Sequence, residues 1–186
     1  MEYWEDWQKP YRFGTLVIWP PEGVRGIVNA QREQYDPVSQ SICQAHITVT
    51  QPFSRPLEED EWKQIKALIS GFQSFEIHYG PLRSFLPYPC IWYEIQPVEK
   101  VLALRNALHE TGFFNLQMEH PENFIPHMTI TEGLSGPCVD QDLLRRLQNE
   151  SDGGSFLCES ISSIVPDEDF HFRVLSVLPL SERHPQ

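Results

Sequence analysis

The sequence predicts a mixed α+β fold. Stretches with helical spacing alternate with short strand-like stretches, and one strand motif occurs twice, well separated along the chain. The hydrophobic fraction of 40% and aromatic fraction of 12% are those of a globular chain with a buried core, not of a disordered one. At 186 residues there is room for one substantial domain, or for two small lobes sharing a core. No short-period repeat and no low-complexity tract is present.

Residues 1–12 are Trp-rich and polar and are expected to form an arm that packs on the body or stays partly ordered. Gly14–Trp19 reads as a buried strand stopped by Pro20-Pro21, and a helix is expected from Glu22 to about Tyr35, closed by Asp36-Pro37. His46–Thr50 alternates as a strand does, and Pro52 ends it. Leu57–Phe72 looks helical, with Glu58, Glu59, Asp60 and Glu61 favouring the positive end of the helix dipole rather than any catalytic role. Strands are expected at Phe75–Tyr79 and Ile91–Ile95. A helix is expected over 98–112, where Val98, Val101, Leu102, Leu104 and Leu108 recur at helical spacing before Gly112. Phe124–Thr131 reads as a strand entered through Pro126, Asp140–Gln148 as a short helix, and Phe156–Ile164 and Phe170–Leu178 as two final strands.

Composition narrows the function. No run approaches the roughly 18 apolar residues that span a bilayer. The first residues, Met1-Glu2-Tyr3-Trp4-Glu5-Asp6, are acidic where a secretory signal would be basic, so a cytoplasmic, non-membrane protein is expected. Cys43, Cys90, Cys138 and Cys158 are scattered without a C-x-x-C pair, which points to isolated thiols rather than a zinc site or disulfide framework. The net charge of −12 disfavours extended, non-specific binding to DNA or RNA, while a local pocket can still take a small anion.

The repeated motif is His46-Ile47-Thr48-Val49-Thr50 and His127-Met128-Thr129-Ile130-Thr131, two copies starting 127 − 46 = 81 residues apart. Successive side chains of a strand alternate between faces, so each histidine and its threonines share one face while Ile47, Val49, Met128 and Ile130 point to a core. With the two strands side by side, His46, His127, Thr48 and Thr129 can line one cleft. Cleaving or forming a phosphodiester requires a proton taken from the attacking oxygen and one given to the leaving oxygen. Imidazole does either near neutral pH, and two imidazoles divide the roles. Threonine hydroxyls can donate to the non-bridging phosphate oxygens. One His-x-Thr would be ordinary strand composition, because Thr favours strands; a matched pair with apolar residues between is not. Threonine is a poor metal ligand and no carboxylate–histidine cluster accompanies the motifs, so no metal and no cofactor are expected.

This pair of H-x-T-apolar motifs resembles the signature of the 2H phosphoesterase superfamily, which includes 2′-5′ RNA ligase-like proteins and cyclic phosphodiesterases. Tyr35-Asp36-Pro37, Phe53, Ser84-Phe85 and Asn123-Phe124-Ile125-Pro126-His127 further resemble its small bacterial YjcG-like branch, over roughly residues 13–178. Ala45 departs from that branch, which usually has Pro before the first His. The resemblance implies a two-lobed, pseudo-symmetric fold whose antiparallel sheets line a central cleft with helices outside. It implies an N-terminal arm at 1–12, a domain at 13–180 and a tail at 181–186. It also implies that His46 and His127 are the acid–base pair, that Thr48 and Thr129 bind phosphate, and that the reaction needs no metal. Family members act on 2′,3′-cyclic nucleotides, 2′-5′ linkages, cyclic ADP-ribose phosphates, RNA ends and cyclic oligonucleotides, so the substrate class stays open within phosphodiesters.

Among the other histidines, His78, His109, His120 and His184 read as surface or structural, and His171 as a candidate for the cleft rim. A nucleobase needs a flat apolar platform. Phe13, Tyr35, Phe53, Trp92, Tyr93, Phe124 and Phe172 are candidates, with Tyr93 and Phe172 foremost as substrate-binding residues. Arg25, Arg32 and Arg83 could contact phosphate, although a solvated face is the default for each. The leading function is a phosphodiesterase acting on a cyclic phosphate or a 2′-linked phosphodiester in a small nucleotide or RNA end. The alternatives are a non-catalytic nucleotide-binding module and a 2′-5′ RNA ligase.

Overall fold

The computed structural model of the chain describes residues 3–118 and 124–182, so His120 and His184 lie outside the described residues. In chain order the elements are β1 (Thr15–Ile18), α1 (Glu22–Tyr35), α2 (Pro37–Ile42), β2 (Ile47–Thr48), α3 (Glu59–Ser70), β3 (Phe75–Ser84) and β4 (Ile91–Gln96). They continue with α4 (Val98–His109), β5 (His127–Thr131), α5 (Gln141–Glu150), β6 (Gly154–Cys158), β7 (Ser160–Pro166) and β8 (Phe172–Pro179). The strands make two four-stranded antiparallel sheets, ordered β2-β1-β7-β8 and β5-β4-β3-β6. The expected α+β class holds, with one sheet per motif. Each motif strand is the edge strand of its own sheet, and the two edges face each other.

Local chemistry explains the boundaries. Helix α1 follows Pro20-Pro21 and buries Val28, Arg32 and Tyr35, an i, i+4, i+7 stripe that includes an arginine. Asp36 closes α1 but the chain turns at once into α2, whose first turn it caps by accepting from the Ser39 amide at 3.3 Å, with Pro37 suited to the N1 position. Helix α3 opens with a capping box between Glu58 and Glu61, and buries Ile65 and Ile69.

The sequence reading did not foresee α2 and made both motif strands longer than β2 and β5 are, and it differs further in β3 and in the last part of the chain. Strand β3 runs past Tyr79 to Ser84, because a register shift between Tyr79 and Leu82 absorbs Gly80-Pro81 without ending the pairing with β4. The expected strand Phe156–Ile164 is two strands. Around Glu159 the chain leaves the second sheet, where β6 pairs with β3, and enters the first, where β7 pairs with β1. No Gly or Pro marks this crossing, so the run of strand-forming residues reads as one strand. Residues Lys9–Phe13 form a short 3-10 helix, and Trp4 donates from Nε1 to the Glu168 carbonyl at 2.7 Å, so this stretch of the arm lies against the body.

The main core is continuous through both sheets, from Leu16 and Ile18 to Ile77, Ile95 and Leu104. The four cysteines are free; Cys43, Cys90 and Cys158 are buried and Cys138 is exposed. Among the described residues no helix is long and apolar enough to cross a membrane.

Candidate active site

The alternation expected of the motifs is present in both copies. Ile47, Val49, Met128 and Ile130 are fully buried, whereas His46, Thr48, His127 and Thr129 are half-buried and line one cavity of about 180 Å³ between the sheet edges. The second threonines do not join them. Thr50 turns inward, where its Oγ1 accepts from the Leu16 amide at 3.1 Å, and Thr131 donates to Asp36 at 3.3 Å. Both act as buried ties: β2 ends at Thr48, so the strict alternation stops before Thr50, and Asp36 draws Thr131 away from the cleft.

The two imidazoles sit in matching cradles. His46 Nδ1 lies 2.7 Å from the Gln44 carbonyl, and His127 Nδ1 lies 2.7 Å from the Ile125 carbonyl, each two residues back. A carbonyl can only accept, so Nδ1 carries the hydrogen and Nε2 is left as the titrating nitrogen of each ring. Aromatic rings fix the orientations. Trp19 lies parallel to His46 with centroids 6.5 Å apart, while Phe85 and Trp92 both stand 5.5 Å from His127. The Cys43 sulfur is 3.3 Å from His46 Nδ1, but burial pushes that thiol up to about 12, which leaves it a packing group rather than a nucleophile.

Dense protein around the cleft disfavours a charged imidazole. Burial brings His46 down to about 4, helped by the positive charge of Arg32 and by His127, with the Gln44 carbonyl pulling the other way. Burial also lowers His127, opposed by the Ile125 carbonyl. Both imidazoles are thus held below their ordinary value, with burial as the main cause in each.

The cavity is polar on one side and aromatic on the other. The polar side holds the two His-Thr pairs with Arg32 and Glu132. The aromatic side is a cluster in which Phe170 meets Trp7 at 5.2 Å, Tyr11 at 6.3 Å and Phe172 at 5.1 Å. Phe170 has φ of 66°, a conformation uncommon outside glycine. Its loop is tied by Asp167, whose carboxylate accepts from the amides of Asp169 and His171 at 3.0 and 2.9 Å.

Of the residues expected at the site, His46, His127, Thr48, Thr129 and Phe172 line the cavity. Tyr93 does not. It is fully buried on the opposite face of β4, its hydroxyl donating to the Gln31 amide oxygen at 2.9 Å and sharing a hydrogen bond with the Ser151 hydroxyl at 2.5 Å. Strand alternation explains the correction: Trp92 faces the His127 side, so its neighbour must face the core. Arg32 is buried rather than solvated, Arg25 is ion-paired with Glu22, and Arg83 is paired with Glu94 at 2.7 Å. His171 does not line the cavity and stands 3.9 Å from Asp167. His109 accepts from the Gln51 amide at 3.1 Å.

The sequence reading missed Trp7 and Tyr11, which come from the arm, and did not foresee Asp36 as a hub. The Asp36 carboxylate accepts from the Glu132 amide at 2.9 Å and the Ser135 hydroxyl at 2.7 Å, besides Ser39, Thr131 and Leu134. A signal for Arg32 did exist, as a charged residue on the apolar stripe of an amphipathic helix.

Comparison with known proteins agrees with this geometry. The model of the 2′-5′ RNA ligase superfamily matches residues 19–170. A Bacillus cytotoxicus protein named "Putative phosphoesterase Bcer98_0945" is 29% identical over 136 residues, covering 72% of this chain and 76% of that one. A Bacillus thuringiensis protein with the name "Putative phosphoesterase" is 30% identical with the same coverage. Among solved structures, Escherichia coli LigT complexed with 3′-AMP superposes with a TM-score of 0.59 at 16% identity, covering 91% of this chain and 98% of that one. TT0787 of Thermus thermophilus gives 0.58 at 16% identity, also over 91% and 98%.

Proposed function

Since the chain belongs to the 2′-5′ RNA ligase superfamily, whose members include 2H phosphoesterases, we propose that this enzyme is a phosphodiesterase using His46 and His127 as its general base and acid. The observation that carries this reading is the matched pair of Nδ1-anchored imidazoles, each with a threonine on the same face, lining one cavity. One Nε2 takes a proton from water or a ribose hydroxyl. The other gives a proton to the departing oxygen, and Thr48 and Thr129 donate to the non-bridging oxygens as charge grows there.

The cavity's two sides support a nucleotide as substrate. The His-Thr pairs suit a phosphodiester, and the rings of Trp7, Tyr11, Phe170 and Phe172 offer a base the stacking surface that contributes about 1–3 kcal/mol. Residues 13–180 then act as the two-lobed domain, with the arm completing the base side of its cavity. LigT has been crystallised with 3′-AMP, with ATP and with NADP+, which shows that a related fold accommodates nucleotides. A 2′,3′-cyclic phosphate or a 2′-linked diester is the substrate class this arrangement serves.

Hydrolysis of a diester panel in excess EDTA tests the reading. The panel holds 2′,3′-cyclic mononucleotides, 2′-5′ and 3′-5′ dinucleotides and cyclic dinucleotides. Turnover of a cyclic or 2′-linked member by the wild-type chain, lost in His46→Ala and in His127→Ala, is expected. Turnover that EDTA abolishes would overturn the metal-free mechanism. Tight binding without turnover would make the site a nucleotide-binding module.

A further inference from the structure

Arg32 is a buried cation at the bottom of an acidic protein's cavity. It is 3% exposed, yet it borders the same cavity as the two histidines. Nη1 donates to the Thr129 carbonyl at 2.8 Å. Nη2 donates to the Ser39 carbonyl, the Ser39 hydroxyl and the Cys43 carbonyl, each at 3.0 Å. Nε is buried without a hydrogen-bond partner, and among the described residues no carboxylate lies within ion-pair distance of the guanidinium. Glu132 and Asp36 act on the guanidinium electrostatically from beyond that distance, and a buried charge without a direct ion-pair partner is costly. The acceptors are also informative: Thr129 belongs to the second motif, while Cys43 lies three residues before the first histidine.

We infer that Arg32 is a positioning residue of the phosphodiester site: its guanidinium ties the strand of His127 and Thr129 to the segment entering His46, and its unpaired charge draws the substrate's phosphate between the two histidines. A mirror arrangement supports the positioning half. Buried Arg105 of α4 donates to the Val49 carbonyl of the first motif at 2.8 Å, so each motif is held by an arginine from the helix that precedes the other lobe's motif. The charge half follows from Coulomb attraction, which the buried position of the guanidinium at a partly enclosed cavity strengthens. The charged and titratable groups around the guanidinium are Glu132, Asp36, Cys43 and Cys90, and those acting on His46 are Arg32 and His127. Arg32 disfavours protonated His46, which keeps that imidazole available as a proton acceptor.

The inference rests on the phosphodiester reading, but its test needs no turnover. The probe is sulfate, whose charge does not change with pH, followed by NMR of the two histidine Cε1–H signals in the full chain. In the wild type, sulfate binding persists at pH 8.5, where both imidazoles are neutral, because Arg32 stays charged. Binding that vanishes in step with histidine deprotonation would overturn the proposal. Arg32→Gln is expected to weaken sulfate binding at pH 8.5 at least about tenfold and to move the His46 titration up towards its ordinary 6.5. Arg32→Lys keeps the charge but loses the planar fork. It is expected to retain sulfate binding within about threefold and to lose turnover through kcat rather than KM. Wild-type sulfate affinity and an unmoved His46 titration in Arg32→Gln would sink the idea. If no diester on the panel is cleaved but sulfate binding follows Arg32, the anion site stands and the catalytic reading falls.

Discussion

At the scale of single residues, His46 and His127 spend the same atom on the same kind of partner, a carbonyl two residues back. Burial lowers both imidazoles; it brings His46 down to about 4, with smaller contributions from the Arg32 charge and from His127 that are not among the causes acting on His127. The sign of the pH dependence follows. The proposed mechanism needs one imidazole neutral and one protonated. Activity therefore falls on the acid side as both become protonated, and on the alkaline side as both become neutral. Both groups lie below 6.5, so kcat/KM is expected to be bell-shaped with its maximum below pH 6.5. A bound phosphate anion favours the charged imidazoles, so the kcat profile is displaced to higher pH. A profile flat from pH 5 to 8 would count against two titrating histidines. At this scale the sequence was informative about position, placing His46, Thr48, His127 and Thr129 on the face that lines one cavity. It placed Thr50 and Thr131 on the histidine face, but both serve as buried ties, because a strand's last residues follow the turn beyond it rather than the pleat.

At the scale of elements, the edge position of β2 and β5 makes the site. Strand β2 is only two residues long, too short to hold its own geometry, and depends on ties from outside the ladder. Asp36 holds the corresponding end of β5. Burial alone would raise its carboxyl, but hydrogen bonds from Glu132, Ser135, Ser39 and Leu134 outweigh that and hold it below its ordinary 3.8. Replacing Asp36 with Ala leaves several buried donors unpartnered and is expected to cost about 2–4 kcal/mol of stability at pH 7. Because the folded-state value is depressed, the charged carboxylate's contribution is present above the unfolded value near 3.8. It is lost as pH falls through the lower folded value. The gap between the denaturation midpoints of wild type and Asp36→Ala should therefore be widest at pH 7 and narrow as pH falls below 3.8; a gap independent of pH would contradict this. Elements with strong periodicity, such as α1 and α3, were legible in sequence almost to their ends. The crossing at Glu159 and the immediate restart of helix at Asp36-Pro37 were not, since both depend on which sheet or loop the chain meets next.

At the scale of the whole molecule, a net charge of −12 surrounds a cavity that holds a buried arginine and two histidines. Long polyanions are repelled by such a surface even while a single diester is drawn into the cavity. Affinity is thus expected to stop rising beyond two or three nucleotides, and its salt dependence to reflect only about one or two phosphate contacts. KM measured from dinucleotide to twenty-mer checks this, and a steady fall with length would contradict it. The pairing of one motif per sheet was legible from the duplicated pattern together with the family resemblance. The arm's part in the cavity was not, because nothing in the polar stretch around Trp7 and Tyr11 shows which surface it covers.

The most direct test of the central claim is a double-mutant comparison. Hydrolysis of the preferred diester is measured for wild type, His46→Ala, His127→Ala and the double variant, all in EDTA. Two histidines acting as one proton-transfer unit predict that each single change costs about 10²–10⁴-fold in kcat and that the double change costs little more than either. Independent, multiplicative losses, or one single variant that keeps near-normal turnover, would contradict the paired mechanism.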